Sequence, residues 1–69
     1  MKAIPKFDLE DIVRFLPEEN LDEEYSLTGT IVKVCIFLHR WGCEGIQYDI
    51  YVNGDVHVDI PEELIVGYK

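Results

Sequence analysis

Basic residues are scarce: six Lys and Arg stand against 14 Asp and Glu in 69 residues, a formal net charge of −8. That balance opposes docking onto phosphate backbones or anionic lipid faces, so direct nucleic-acid binding is not expected. Cysteine is nearly absent as well. Two of them, Cys35 and Cys43, are too few for a secreted disulfide scaffold of this size, and reduced thiols fit a cytoplasmic protein. No apolar run approaches the ~20 residues of a membrane span, and Met1-Lys2-Ala3-Ile4-Pro5 lacks the hydrophobic stretch of a signal peptide. The chain reads as intracellular, with no membrane partner. Serine occurs once, at Ser26, and no pattern sets a histidine beside it. A glycine-rich phosphate loop, a CxxC pair and a metalloprotease helix are also missing. Neither catalysis nor a cofactor is expected.

What is present suits one small domain. The 48% hydrophobic and 29% charged composition predicts a single unit over residues 1–69, with no repeat and no linker. A chain this short buries only about 60% of the surface its unfolded form exposes, so few residues can be spared from packing. The charge is unevenly spread. Residues 1–24 hold eight acids and three bases, residues 25–43 hold no acid, and residues 44–69 hold six acids and one base.

The apolar periods predict short strands. Asp11 to Leu16 is a strand that Pro17 ends, and Pro17 to Glu24 is too acidic to bury, so residues 17–27 read as a solvated acidic loop. Thr28 to Phe37 is long and β-branched. Its apolar set shifts from Ile31 to Val34 and Ile36, which calls for a bulge near Val32–Lys33. Tyr48, Ile50 and Val52 alternate with Gln47, Asp49 and Tyr51, then Val56, Val58 and Ile60 with His57 and Asp59. Asn53-Gly54 marks the hairpin between them. A two-residue loop would set Ile50 against His57 and mix the faces, so an odd-length loop with a bulged glycine is expected. Pro61-Glu62-Glu63-Leu64 predicts one helical turn, and Ile65 to Tyr68 a closing strand.

Phe7-x-x-x-Asp11-x-Val13-Arg14-Phe15, Gly29-Thr30-Ile31-Val32-Lys33-Val34, Tyr48-Asp49-Ile50 and Pro61-Glu62-Glu63-Leu64 are short phrases in a telling order. Together, over about residues 7–66, they resemble the small Src-homology-3-like barrels of bacterial and phage proteins. The resemblance implies an all-β fold, a five-stranded barrel with one short helical turn before the last strand. Tudor and KOW-type relatives, the variable chain of ferredoxin–thioredoxin reductase and a photosystem subunit share that barrel, and the resemblance to them implies binding and not catalysis. The chain departs from the pattern at Glu10, where the family has glycine. It also lacks aromatic residues between Pro17 and Glu24, so proline-rich ligand binding is not carried over.

Two surfaces are candidates for that binding. Phe37, His39, Arg40 and Trp41 form an aromatic and cationic cluster in the acid-free window, and Trp and Arg often anchor interfaces. The alternative is that Phe37 and Trp41 cap one open end of the barrel and Arg40 is simply solvated. The second surface is Glu18, Glu19, Asp22, Glu23 and Glu24, joined by Glu62 and Glu63, which could imitate the phosphates of a nucleic acid and inhibit an enzyme that binds one. The plainer alternative is a solubilising loop. Cys35-x-x-x-His39-x-x-x-Cys43 has metal-ligand residue types at the wrong spacing, and Cys35 reads as a small buried hydrophobe, so no metal is expected. Tyr48 and Tyr51 have opposite parity, which breaks an aromatic cage for a methylated ammonium. The reading is a non-enzymatic intracellular protein-binding or accessory module, monomeric or homodimeric. Its size and charge suit a phage or mobile-element product.

Overall fold

Residues 4–38 and 44–68 are described by the computed structural model, and of Leu38 and Glu44 the backbone alone. The chain forms five strands: β1 (Ile12–Phe15), β2 (Leu27–Leu38), β3 (Glu44–Val52), β4 (Asp55–Pro61) and β5 (Ile65–Tyr68). They pair antiparallel in one sheet of order β4-β3-β2-β1-β5, so the architecture is all-β. The sheet is open, since among the described residues no pairing joins β4 to β5. Single 3-10 turns occupy Glu23–Tyr25, within the acidic loop, and Glu62–Leu64, directly before β5. The second is the turn expected at Pro61.

The core is small and built of hydrophobic side chains. Val13, Phe15, Ile31, Tyr48, Ile50 and Ile60 are buried, with no buried charged residue among those described. Phe7, Leu27, Val34, Ile46, Val52, Leu64 and Ile65 pack around them, each contributing part of the 1.5–3 kcal/mol that full burial of such a side chain supplies. The sheet rolls over this core. Phe15 of β1 and His57 of β4 lie three strands apart in order, which a flat sheet would separate by about 14 Å. Their ring centroids are 5.5 Å apart, edge to face. Gly29 permits the roll: a Cβ there would stand 2.5 Å from the Tyr51 carbonyl oxygen and 2.6 Å from a Val52 methyl.

Two irregularities set which residues face in. The β2–β3 register shifts between Ile31 and Lys33, leaving Val32 as the extra residue, and this is the bulge that the apolar pattern predicts. It turns Val34 toward the core beside Tyr48. The second irregularity corrects the expected hairpin. Asn53 and Gly54 form a plain two-residue turn with φ of 47° and 93°, both left-handed, and Val52 pairs directly with Asp55. Ile50 therefore does face His57, and the odd residue is absorbed later, between the pairs Ile50↔His57 and Tyr48↔Ile60. Asp59 takes φ 56° at that point, and its N–H donates to Asp49 Oδ1 at 3.1 Å. The Asn-Gly turn geometry is strong enough to fix the hairpin, so the parity conflict moves into β4. As a result His57 faces the core, and Val56 and Val58 are exposed. Both findings reverse the sequence expectation.

Candidate partner-binding surface

The outer side of the sheet carries an apolar row. Register pairs link Val56 to Tyr51, Tyr51 to Thr30 and Thr30 to Ile12, so four neighbouring strands each present one residue on the same face. Ile12, Tyr51 and Val56 are 44%, 47% and 49% exposed, and Val58, further along β4, is 59% exposed. Isolated surface apolar residues are ordinary, whereas grouped ones make a face a candidate for binding. Beyond the row, the same face shows Lys33 paired with Asp49, then Cys35 with Gln47, then Phe37 with Gly45. β2 thus explains the acid-free window: it is the central strand, and its outward side carries threonine, lysine, cysteine and phenylalanine.

Phe37, named from the sequence, is half-buried and lies across Gly45, where any Cβ would strike its ring. It stands on the same face as Tyr51, roughly 20 Å away along the strand. His39, Arg40 and Trp41 lie outside the described residues, as does Cys43. Cys35 is a free thiol and is exposed, because the bulge at Val32 gives it the outward parity. That corrects the expectation of a buried hydrophobe. No group of three metal-binding side chains occurs among the described residues. Tyr48 is buried and Tyr51 exposed, which separates them as parity requires.

Glu18, Glu19, Asp22, Glu23 and Glu24 are all exposed around the first 3-10 turn. Glu62 does not join them. Its Oε2 accepts the Tyr48 hydroxyl at 2.6 Å and the Lys6 N–H at 3.1 Å, so this carboxylate holds the N-terminal segment onto the core. The same hydroxyl accepts the Phe7 N–H at 3.4 Å, and the Phe7 ring meets Tyr48 edge-on and stacks on Tyr68. Burial, and then the bond to the Glu62 carboxylate, push the Tyr48 phenol up to about 12, while the Phe7 N–H acts in the opposite direction. Sequence reasoning placed Tyr48 in the core but missed this knot, since nothing in a strand pattern says where a buried hydroxyl finds its acceptor.

Glu10 closes the remaining question from the sequence. It takes φ 71°, the left-handed conformation that glycine adopts freely, and its N–H donates to the Ile31 carbonyl at 2.8 Å. The turn into β1 is therefore left-handed at a glutamate. Asp8 and Asp11 brace it: Asp11 Oδ2 accepts the Asp8 N–H at 2.8 Å, and Asp11 Oδ1 accepts the Tyr68 hydroxyl at 3.5 Å. No family model, no curated protein and no solved structure matches this chain. No helix among the described residues is long and apolar enough to cross a membrane.

Proposed function

We propose that this chain is a non-catalytic protein-binding module built as a Src-homology-3-like barrel. It meets its partner through the outer face of the sheet that carries Phe37, with His39, Arg40 and Trp41, which follow Phe37 in sequence, as further contact residues. The observation that carries the reading is the row of Ile12, Thr30, Tyr51 and Val56 across four neighbouring strands, in which the three apolar side chains are about half exposed. Support for the barrel comes from the strand order, the 3-10 turn before β5 and the roll that brings Phe15 to His57. The test is affinity capture from lysate with wild type and Trp41→Ala in parallel, at low and high salt. The expected result is a salt-resistant partner lost from the variant while its fold is kept. Unfolding of the free variant would instead make Trp41 part of the core.

Five exposed carboxylates favour a second reading, an acidic mimic that occupies the nucleic-acid cleft of an enzyme. On that reading the capture yields a nucleic-acid-binding enzyme that Trp41→Ala retains and salt releases. Charge reversal at Glu18, Glu19, Asp22, Glu23 and Glu24 would then abolish binding.

A further inference from the structure

Arg14 stands on the outer face, one step along β1 from the apolar row. Val13 and Phe15 on either side of it are buried, which turns Arg14 outward with Ile12, and the ladders set it between Thr28 of β2 and Gly67 of β5. Both neighbours are small and uncharged. The Arg14 side chain lies against Gly67: a Cβ built there would stand 3.4 Å from its Nε and 3.7 Å from its Cζ. Arg14, Thr28, Gly67 and Tyr68 line a hollow of about 220 Å³.

Size and chemistry define what enters. Pockets for whole small molecules usually exceed about 300 Å³, so this hollow suits a single side chain of a larger partner. A guanidinium offers paired N–H donors that match the two oxygens of a carboxylate, and the exposed Thr28 hydroxyl beside it adds a further donor. A lysine there would bring charge without that fork. Ile12 lies two residues along the same strand, roughly 6–7 Å away, which is also the spacing of alternate residues in an extended chain. A guest that lays an apolar side chain on Ile12 therefore brings the residue two positions away over Arg14.

We infer that the outer face receives an extended segment of a partner protein in which an Asp or Glu side chain, seated at Arg14, stands two positions from an apolar side chain seated on Ile12. This rests on the protein-binding reading and names what the partner presents to that face. β1 has a strand on each side, so the hollow opens within the face, a place for a passing side chain rather than a chain terminus. The charge balance then sets the salt response. At long range a net charge of −8 repels an acidic partner, whereas Arg14 attracts its carboxylate at contact. Salt screens the distant repulsion more than the close contact, so the complex withstands it.

The experiment titrates the ¹⁵N-labelled chain with three short peptides: capped Val-Thr-Glu-Thr-Val, its Gln counterpart, and Val-Thr-Val ending in a free carboxylate. The Glu peptide is expected to shift the Arg14 Nε–H signal and the amides of Ile12, Thr28 and Gly67 saturably. The Gln peptide should bind about threefold to tenfold more weakly, as loss of a charge-assisted contact requires. Arg14→Gln should erase that difference, and Arg14→Lys should keep only part of it. Gly67→Val, which crowds the guanidinium, should weaken the Glu peptide more than the Gln peptide. Between roughly 50 and 500 mM salt the affinity for the Glu peptide should change less than about threefold. Several results would overturn the inference: no saturation up to about 5 mM peptide, equal binding of the Glu and Gln peptides, or a Glu preference that survives Arg14→Gln. Tighter binding of the free-carboxylate peptide would assign the hollow to a chain terminus instead. Should Arg14→Gln fail to fold, the Glu and Gln peptides on wild type still decide. If the peptides fail while Trp41→Ala loses its partner, the module reading stands without Arg14. If the Glu peptide seats at Arg14 while Trp41→Ala keeps its partner, the Arg14 contact stands and the contact at Trp41 falls.

Discussion

Replacing Tyr48 with phenylalanine keeps the ring in the core and removes one oxygen, which isolates the knot that ties the N-terminal segment to the sheet. The lost hydroxyl donates to Glu62 at 2.6 Å and accepts from Phe7 N–H at 3.4 Å. A hydrogen bond to a charged acceptor contributes about 1.5–3 kcal/mol, so Tyr48→Phe should destabilise the fold by about 2 kcal/mol at neutral pH. For a domain of this length that lowers Tm by roughly 8–16 °C. The pH dependence gives a sharper signature. The folded phenol sits at about 12 against an ordinary 10, so folding favours its protonated form. That contribution is fully present below pH 10 and disappears as pH rises toward 12, because the unfolded phenol ionises first. Burial is the larger cause of that shift and the bond to Glu62 the next. Urea unfolding of both proteins between pH 7 and pH 11.5 measures the difference. The gap should close with rising pH. A variant as stable as wild type at pH 7, or a gap constant to pH 11.5, would refute the reasoning.

Other perturbations test the backbone. Glu10→Gly should stabilise the fold by about 0.5–1 kcal/mol, since it relieves a left-handed residue at φ 71°, and chemical denaturation reads the change. Gly29→Ala should destabilise by about 3 kcal/mol or fail to fold, because its methyl would meet the Tyr51 carbonyl where β2 closes on β3. Asp49→Ala removes the acceptor for the Asp59 N–H and should cost about 1 kcal/mol. Faster amide exchange at Asp59 and Ile60 in that variant would locate the loss at the β4 bulge.

Much of the fold was legible because β-branched alternation is a direct consequence of strand geometry. The all-β class, the bulge at Val32 and the burial of Tyr48, Ile50 and Ile60 all follow from it, and the 3-10 turn after Pro61 follows from proline's fitness for a helix start. In the β3–β4 hairpin the loop length was misjudged, and with it the facing of Val56, His57 and Val58. Parity demanded an odd residue somewhere, and local turn chemistry at Asn53-Gly54 decided that it fell at Asp59. His57 consequently faces Phe15, and Val56 joins the outer row. The exposure of Cys35 was missed although the expected bulge at Val32 already gives it outward parity, because the usual burial of cysteine was weighed above that parity. The row of Ile12, Thr30, Tyr51 and Val56 was invisible in sequence because it depends on the register of four strands. The bond from Tyr48 to Glu62 was hidden because it joins residues from different elements.

Placing a charge in the outer row tests the central claim most directly. Tyr51 is about half exposed and outside the core, so Tyr51→Lys should leave unfolding within about 0.5 kcal/mol of wild type. Partner retention by this variant, measured beside wild type at high salt, is the quantity to determine. Loss of the partner with the fold intact is the result expected of a module that binds through this face. Full retention would contradict it.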